Sequence, residues 1–267
     1  MSAVNRNKYC TMDLIKSSNP VLSEKMFSRD QVFGQETMTL NGTMNKTGLM
    51  LLLVVLGAVF TWGKFFNAFN GEYPQEAISA VTPWLLIGGI GGFIMALVTA
   101  FRPKSAGITA PIYALLQGLF LGGISAMMEG TYTGIVMRAV ALTLAVFVVM
   151  LLLYRSQVIK VTEKFRMVIF AATGGIALLY LVSFVAGFFG ASFTFLHDSS
   201  TLSIGISLVV VAVAALNLTL DFDFIDRASA SGAPKYMEWF GAFGLMVTLI
   251  WLYLELLRLL SKLARRE

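Results

Sequence analysis

From residue 47 onward the chain is a succession of long apolar runs broken by short polar joints. Seven runs, 47–66, 79–101, 107–128, 134–154, 166–189, 202–222 and 236–260, each approach the roughly 20 residues that a helix needs to cross about 30 Å of hydrocarbon. None alternates with the two-residue period of a barrel strand. Backbone groups in lipid must pair within their own segment, so the pattern predicts an all-α bundle of seven transmembrane helices. Short joints make successive helices antiparallel neighbours and leave no room for a soluble catalytic domain. The predicted organisation is a polar, flexible tail over 1–45, a transmembrane domain over 46–262 and a basic end at 263–267.

Composition agrees: 57% of residues are hydrophobic and 13% charged, against about a quarter charged in soluble domains. The formal net charge of +5 comes from scattered lysines and arginines with no aromatic-interleaved basic face, so the partner expected is the lipid bilayer and not nucleic acid. One cysteine, Cys10, and one histidine, His197, exclude an intrachain disulfide and a His/Cys zinc cluster. Any metal would have to use oxygen ligands, and no cofactor is expected. The first 45 residues lack the apolar core of a signal peptide. Turns are expected at Ser17-Ser18-Asn19-Pro20, and a short helix start at Ser28-Arg29-Asp30-Gln31.

Orientation follows the positive charges of the joints. Arg102 and Lys104, then Arg155, Lys160, Lys164 and Arg166, mark cytoplasmic joints, while the Glu72/Glu76 and His197/Asp198 joints belong outside, which places the N-terminus in the cytoplasm. Seven crossings then put the C-terminus outside, although Arg258, Lys262, Arg265 and Arg266 favour the cytoplasm. Either the first spans set the orientation and the last crosses fully, which we favour, or the last segment is re-entrant. Glycines at 88, 89, 91 and 92, at 118, 122 and 123, and Gly187 with Ala191 fit close backbone packing. The Gly88 run lacks the lysine and hydroxyl of a phosphate loop. Pro83 and Pro111 fit first-turn positions, and Pro111 could instead kink its helix.

The candidate chemistry lies at 218–238, where three aspartates sit among bulky apolar residues: Leu218-Thr219-Leu220-Asp221-Phe222-Asp223-Phe224-Ile225-Asp226-Arg227. A carboxylate losing hydration at a membrane edge is costly and marks a functional position. With helices on either side of a turn near Pro234, Asp221 and Glu238 lie at roughly 9 and 6 Å from one face, so antiparallel packing would pair them. Asp221 and Asp223, two apart, point to different sides. Arg102 emerges on the same side and is the expected counter-charge, holding one carboxylate ionised while its neighbour exchanges a proton. Asp223, Asp226 and Arg227 are otherwise read as solvating a helix end.

Leu220-Asp221-Phe222-Asp223-Phe224-Ile225 resembles the signature closing the sixth helix of the Bax inhibitor-1 (transmembrane Bax inhibitor motif) family, and Leu245 to Leu260 resembles that family's last helix with its Leu-Leu-Arg-Leu-Leu ending. Ser18-Asn19-Pro20-Val21-Leu22, and Arg102 followed by Gln117-Gly118, are similar to a bacterial branch with a longer N-terminus. The resemblance implies a seven-helix, pH-sensitive calcium leak in a bacterial plasma membrane, latched by two aspartates sharing a proton with an arginine nearby. Asp221 matches the first aspartate and Arg102 approximately the arginine. Thr248 stands where the family has its second aspartate. Thr248 is then the expected hydrogen-bond partner of Asp221, with Glu238 or Glu255 supplying the missing charge, unless Glu255 pairs with Arg258 at i+3.

The function expected is a cation leak, with Ca²⁺ as the transported ion and Asp221 and Glu238 as transit ligands. The alternative is an interaction protein that regulates a membrane protease or a stress or cell-death partner through its N-terminal tail. An enzyme is not expected. The membrane serines Ser125, Ser183 and Ser207 lack a visible base, and an aspartyl mechanism lacks its second aspartate unless Glu238 serves.

Overall fold

The computed structural model describes residues 36–69, 74–189 and 198–266, apart from the side chains of Pro74 and Phe188. The expectations for residues 1–35, Glu72, Ala191 and His197 lie outside these residues. Seven helices follow in order: α1 (Leu40–Ala68), α2 (Pro74–Phe101), α3 (Ala106–Thr131), α4 (Ile135–Arg155), α5 (Glu163–Phe188), α6 (Thr201–Ala230) and α7 (Met237–Ala264). All seven are long and apolar enough to cross a membrane. A single 3-10 turn, Pro103–Ser105, joins α2 to α3.

Several helices outrun their apolar cores, and in α1 and α6 the reasons are written in their ends. In α1 the Thr39 hydroxyl accepts the Gly42 N–H at 3.0 Å, an N-cap that satisfies a first-turn donor. The polar residues 40–46 are therefore its first turns and not part of a tail. α6 continues past residue 222 to Ala230. It stops where Gly232 takes a left-handed φ of 68° and the Ala233 N–H reaches back to the Ala228 carbonyl at 3.0 Å, a glycine-dependent helix closure. Asp221, Asp223 and Asp226 consequently lie on a helix and not at its frayed end. Pro83 and Pro111, expected in first turns, lie inside α2 and α3: α2 begins five residues before its apolar run, and Pro111 is the sixth residue of α3.

The glycines pack helices together as expected. A Cβ on Gly57 of α1 would come within 2.6 Å of the Leu115 carbonyl of α3, and one on Gly88 of α2 within 2.7 Å of the Phe120 nitrogen. On α3, Gly118 and Gly122 lie against the Val54 and Ala58 backbone so closely that any side chain would overlap it. Such contacts replace the hydrophobic drive that helices lack in lipid. Gly187 meets nothing.

The start of α1 and the α2–α3, α4–α5 and α6–α7 joints lie at one end of the bundle, called here the N face; the α3–α4 joint, the start of α6 and the end of α7 lie at the other, the C face. α7 is one unbroken helix of 28 residues, which fits a full crossing and not a re-entrant segment. It occupies the centre, packed on α1, α3, α4 and α6. Its residues Leu245, Leu249, Leu252, Leu256 and Leu259 form the main core with Ala214, Leu218 and Phe222 of α6 and Met150 of α4. α5 lies outside this core and packs mainly on α6.

Candidate functional site

At the N face α6 presents two aspartates, two residues apart, to different neighbours. Asp221 faces α7, where the Thr248 side chain reaches its carboxyl. Its Oδ2 is sealed from the surface and has no hydrogen-bond partner among the described residues. Thr248 itself donates to the Gly244 carbonyl at 3.3 Å. Gly244 leaves room there, since even a Cβ on it would stand 4.0 Å from Asp221 Oδ1. Asp223 is also buried, but it is held by two guanidinium groups: Arg166 Nη2 of α5 at 2.9 Å and Arg227 Nε, one turn along α6, at 2.9 Å. Asp223 and Arg227 thus do more than solvate a helix end. Asp226 accepts the Tyr154 hydroxyl of α4 at 3.2 Å.

Glu238 does not pair with Asp221. It lies ten residues before Thr248 on α7, about 15 Å along the helix, and its carboxylate is committed to the start of α1. The Thr39 N–H and hydroxyl each donate to its Oε1 at 2.9 Å. Lys46 forms an ion pair with its Oε2, and Lys235 lies 3.5 Å from Oε1. With 1% of its surface exposed, Glu238 serves as an anion at the N-terminal ends of both α1 and α7. Gly42 is the residue that lets it approach, because a Cβ there would overlap the carboxylate. Met38, just before the cap, pairs its N–H with the Ala233 carbonyl at 2.7 Å, which ties the entry of α1 to the α6–α7 joint.

Arg102 is likewise not the counter-charge. Its side chain is exposed at the α2–α3 joint and pairs with no carboxylate among the described residues. The cations at the N-face acids are Lys46, Arg166 and Arg227. Asp221 and Glu238 are not brought together as ligands for Ca²⁺, and no group of three metal-binding side chains occurs among the described residues.

The remaining predicted acid, Glu255, belongs to the other half of the bundle. It pairs with Arg258 at 3.0 Å, the i+3 partner expected from spacing, and also accepts the Tyr180 hydroxyl of α5 at 3.0 Å and the Trp251 indole N–H at 3.3 Å. Arg258 donates to the Tyr180 oxygen at 2.7 Å, closing a triangle between α5 and α7. Further toward the C face, Glu129 accepts the Gly134 and Val136 N–H groups at 2.5 and 3.0 Å and so caps α4. Asp198, just before α6, accepts the Ser200 hydroxyl at 2.8 Å, which holds its carboxyl below the usual carboxylate range.

Sequence reasoning missed Lys46, Asn217, Tyr180 and the pairing of Arg166. One signal was present. Arg166, Thr173 and Tyr180 are the polar marks of an apolar helix at seven-residue spacing, which places them on one face. Each makes a contact on that face: Arg166 with Asp223, Thr173 with Asn217 at 2.8 Å, and Tyr180 with Glu255 and Arg258.

Comparison with curated proteins and with solved structures finds no match to the chain. Comparison with protein families finds one that runs from residue 19 to residue 265 and so includes both faces of the site and all seven helices. The chain is a multi-pass membrane protein belonging to the Bax inhibitor 1 like family.

Proposed function

We propose that the protein is a pH-responsive cation leak, with Ca²⁺ as its cargo and Asp221 as the group whose proton sets the spacing of α6 and α7. The observation that carries the reading is the Asp221 carboxyl, turned to the α6–α7 seam with one oxygen unpartnered among the described residues, beside an Asp223 that is ion-paired to two arginines.

Thr248 has one hydroxyl proton, and the state of Asp221 decides where that proton goes. When Asp221 is protonated, its O–H donates to Thr248, which still donates to Gly244, and the seam is closed by neutral hydrogen bonds. When Asp221 is ionised, the Thr248 proton is drawn to the carboxylate. The Gly244 carbonyl then keeps only its helical backbone partner, and a charge between packed helices demands water or a cation. Gly244 on α7 leaves open space beside Asp221 at this level. A hard divalent cation suits carboxylate, hydroxyl and carbonyl oxygens, although a single carboxylate makes a transit position and not a tight site. The N face, with Arg102, Arg155, Lys160 and Lys164, is the cytoplasmic side in this reading, and the membrane is the bacterial plasma membrane. Calcium flux from proteoliposomes should vary with pH in the native protein and lose that variation in Asp221→Asn. An unchanged flux profile in the variant removes Asp221 from the mechanism.

A further inference from the structure

Two polar layers lie on the α6–α7 seam, at matching positions. Asp221 meets Thr248 near the N face. Fourteen residues toward the C face on both helices, Ser207 meets Lys262, a separation of about 21 Å at helical rise. The seam between the layers is closed by buried Val211, Ala214 and Leu218 of α6 and Leu252, Leu256 and Leu259 of α7.

Lys262 is an unusual lysine. It is 3% exposed, so it does not extend its amine to water as lysines at membrane edges do. Its Nζ donates to Ser207 Oγ at 2.8 Å and to the Ser203 carbonyl at 3.3 Å, and it forms no ion pair among the described residues. The charged groups in its field are Arg258, Glu255, Asp198 and Arg265. Glu255 is committed to Arg258, and half-buried Asp198 to Ser200. The Ser203 hydroxyl is buried and makes no hydrogen bond within normal limits among the described residues, though it lies close enough to Asp198 to help stabilise that carboxylate. The ammonium is also set against the first turns of α6, the positive end of that helix. Burying an ammonium without an ionic partner is costly, and its two neutral acceptors offset that cost only in part.

We propose that Lys262 is the charge barrier at the C-face end of the pathway, the residue that sets its selectivity between monovalent and divalent cations. The assignment rests on the leak reading above: a cation that passes Asp221 and follows the seam meets a fixed positive charge before leaving. Coulomb repulsion scales with the charge of the ion, so a barrier that slows K⁺ by a given factor slows Ca²⁺ by the square of that factor.

The test compares K⁺ and Ca²⁺ flux in proteoliposomes for the native protein, Lys262→Gln and Lys262→Arg at one pH and one ionic strength. Lys262→Gln should raise Ca²⁺ flux more than K⁺ flux, a threefold gain in K⁺ corresponding to about ninefold in Ca²⁺, and Lys262→Arg should conduct like the native protein. Ser207→Asp sets a carboxylate against the amine and should shift the ratio in the same direction with Lys262 in place, which keeps the test open if the glutamine variant does not fold. Equal gains for both ions would mean a loosened seam and overturn the barrier, as would no change, or a shift in the arginine variant equal to that in the glutamine variant. A native flux that Asp221→Asn alters while neither Lys262→Gln nor Ser207→Asp shifts the ratio leaves the leak standing and removes the barrier. A native protein that conducts neither ion at any pH overturns both.

Discussion

α7 and α5 are both long apolar helices, yet they are held in opposite ways. In the most apolar stretch of α7, 61% of residues are buried, against 6% in α5. α7 is surrounded by four helices and fixed by apolar packing along its length. α5 exposes Met167, Val168, Phe170, Leu178, Leu181, Val182, Phe184 and Val185 and is joined to the bundle by contacts of Arg166, Thr173 and Tyr180. In water such a helix would be driven onto the core by its apolar surface. In lipid that surface is already solvated, so specific polar contacts decide whether the helix docks. The lesson is that in this fold a few hydrogen bonds can govern the position of a 26-residue helix.

The strongest way to break the contrast is at the triangle that joins the two helices. Glu255→Ala leaves Arg258 with the Tyr180 hydroxyl and leaves the Trp251 N–H unpartnered. Losing one side of a buried pair with a half-exposed arginine should cost about 2–3 kcal/mol, read as a lower midpoint of unfolding by SDS or heat in mild detergent. Glu255→Gln, which keeps an acceptor, should lose less. A smaller effect is expected from Asp223→Asn, which frees Arg166 and Arg227. Both arginines are partly exposed, so the cost in stability should be about 1 kcal/mol. The sharper readout is position: spin labels at the exposed Phe170 and Leu208 should show a broader distance distribution as the start of α5 drifts from α6. The smallest effect belongs to Asn217→Ala. Loss of its bond to Thr173 should cost about 0.6 kcal/mol, typical of one interhelical hydrogen bond in a membrane, and should leave α7 unaffected. If the three variants destabilised equally, polar clasping would not be what distinguishes α5.

Apolar length made all seven helices legible in the sequence, because hydrocarbon thickness fixes how long a span must be. Their ends were not, since a polar segment such as 40–46 continues a helix only if something satisfies its first N–H groups, and Thr39 and Glu238 do so from outside the apolar pattern. Local pairing was legible too, as with Glu255 and Arg258 at i+3. The neighbourhood of Asp221 was half legible: Thr248 followed from the family resemblance, whereas Glu238 was assigned by assuming that acids near one turn must meet. Ten residues of α7 separate Glu238 from Thr248, and the start of α1, a third helix, claims it first. Arg102 shared only a membrane face with the acids, and a shared face is much weaker than a shared contact.

The glycine contacts of α1, α2 and α3 also bear on how motion in this protein should be measured. Where main chain lies directly on main chain, no side chain can change rotamer to accommodate sliding. These three helices therefore form a stationary frame, and a reporter fixed on them is a reference point. A second reporter on α5 would then record displacement of that helix alone, so one labelled pair can tell a swinging helix from a bundle that loosens everywhere.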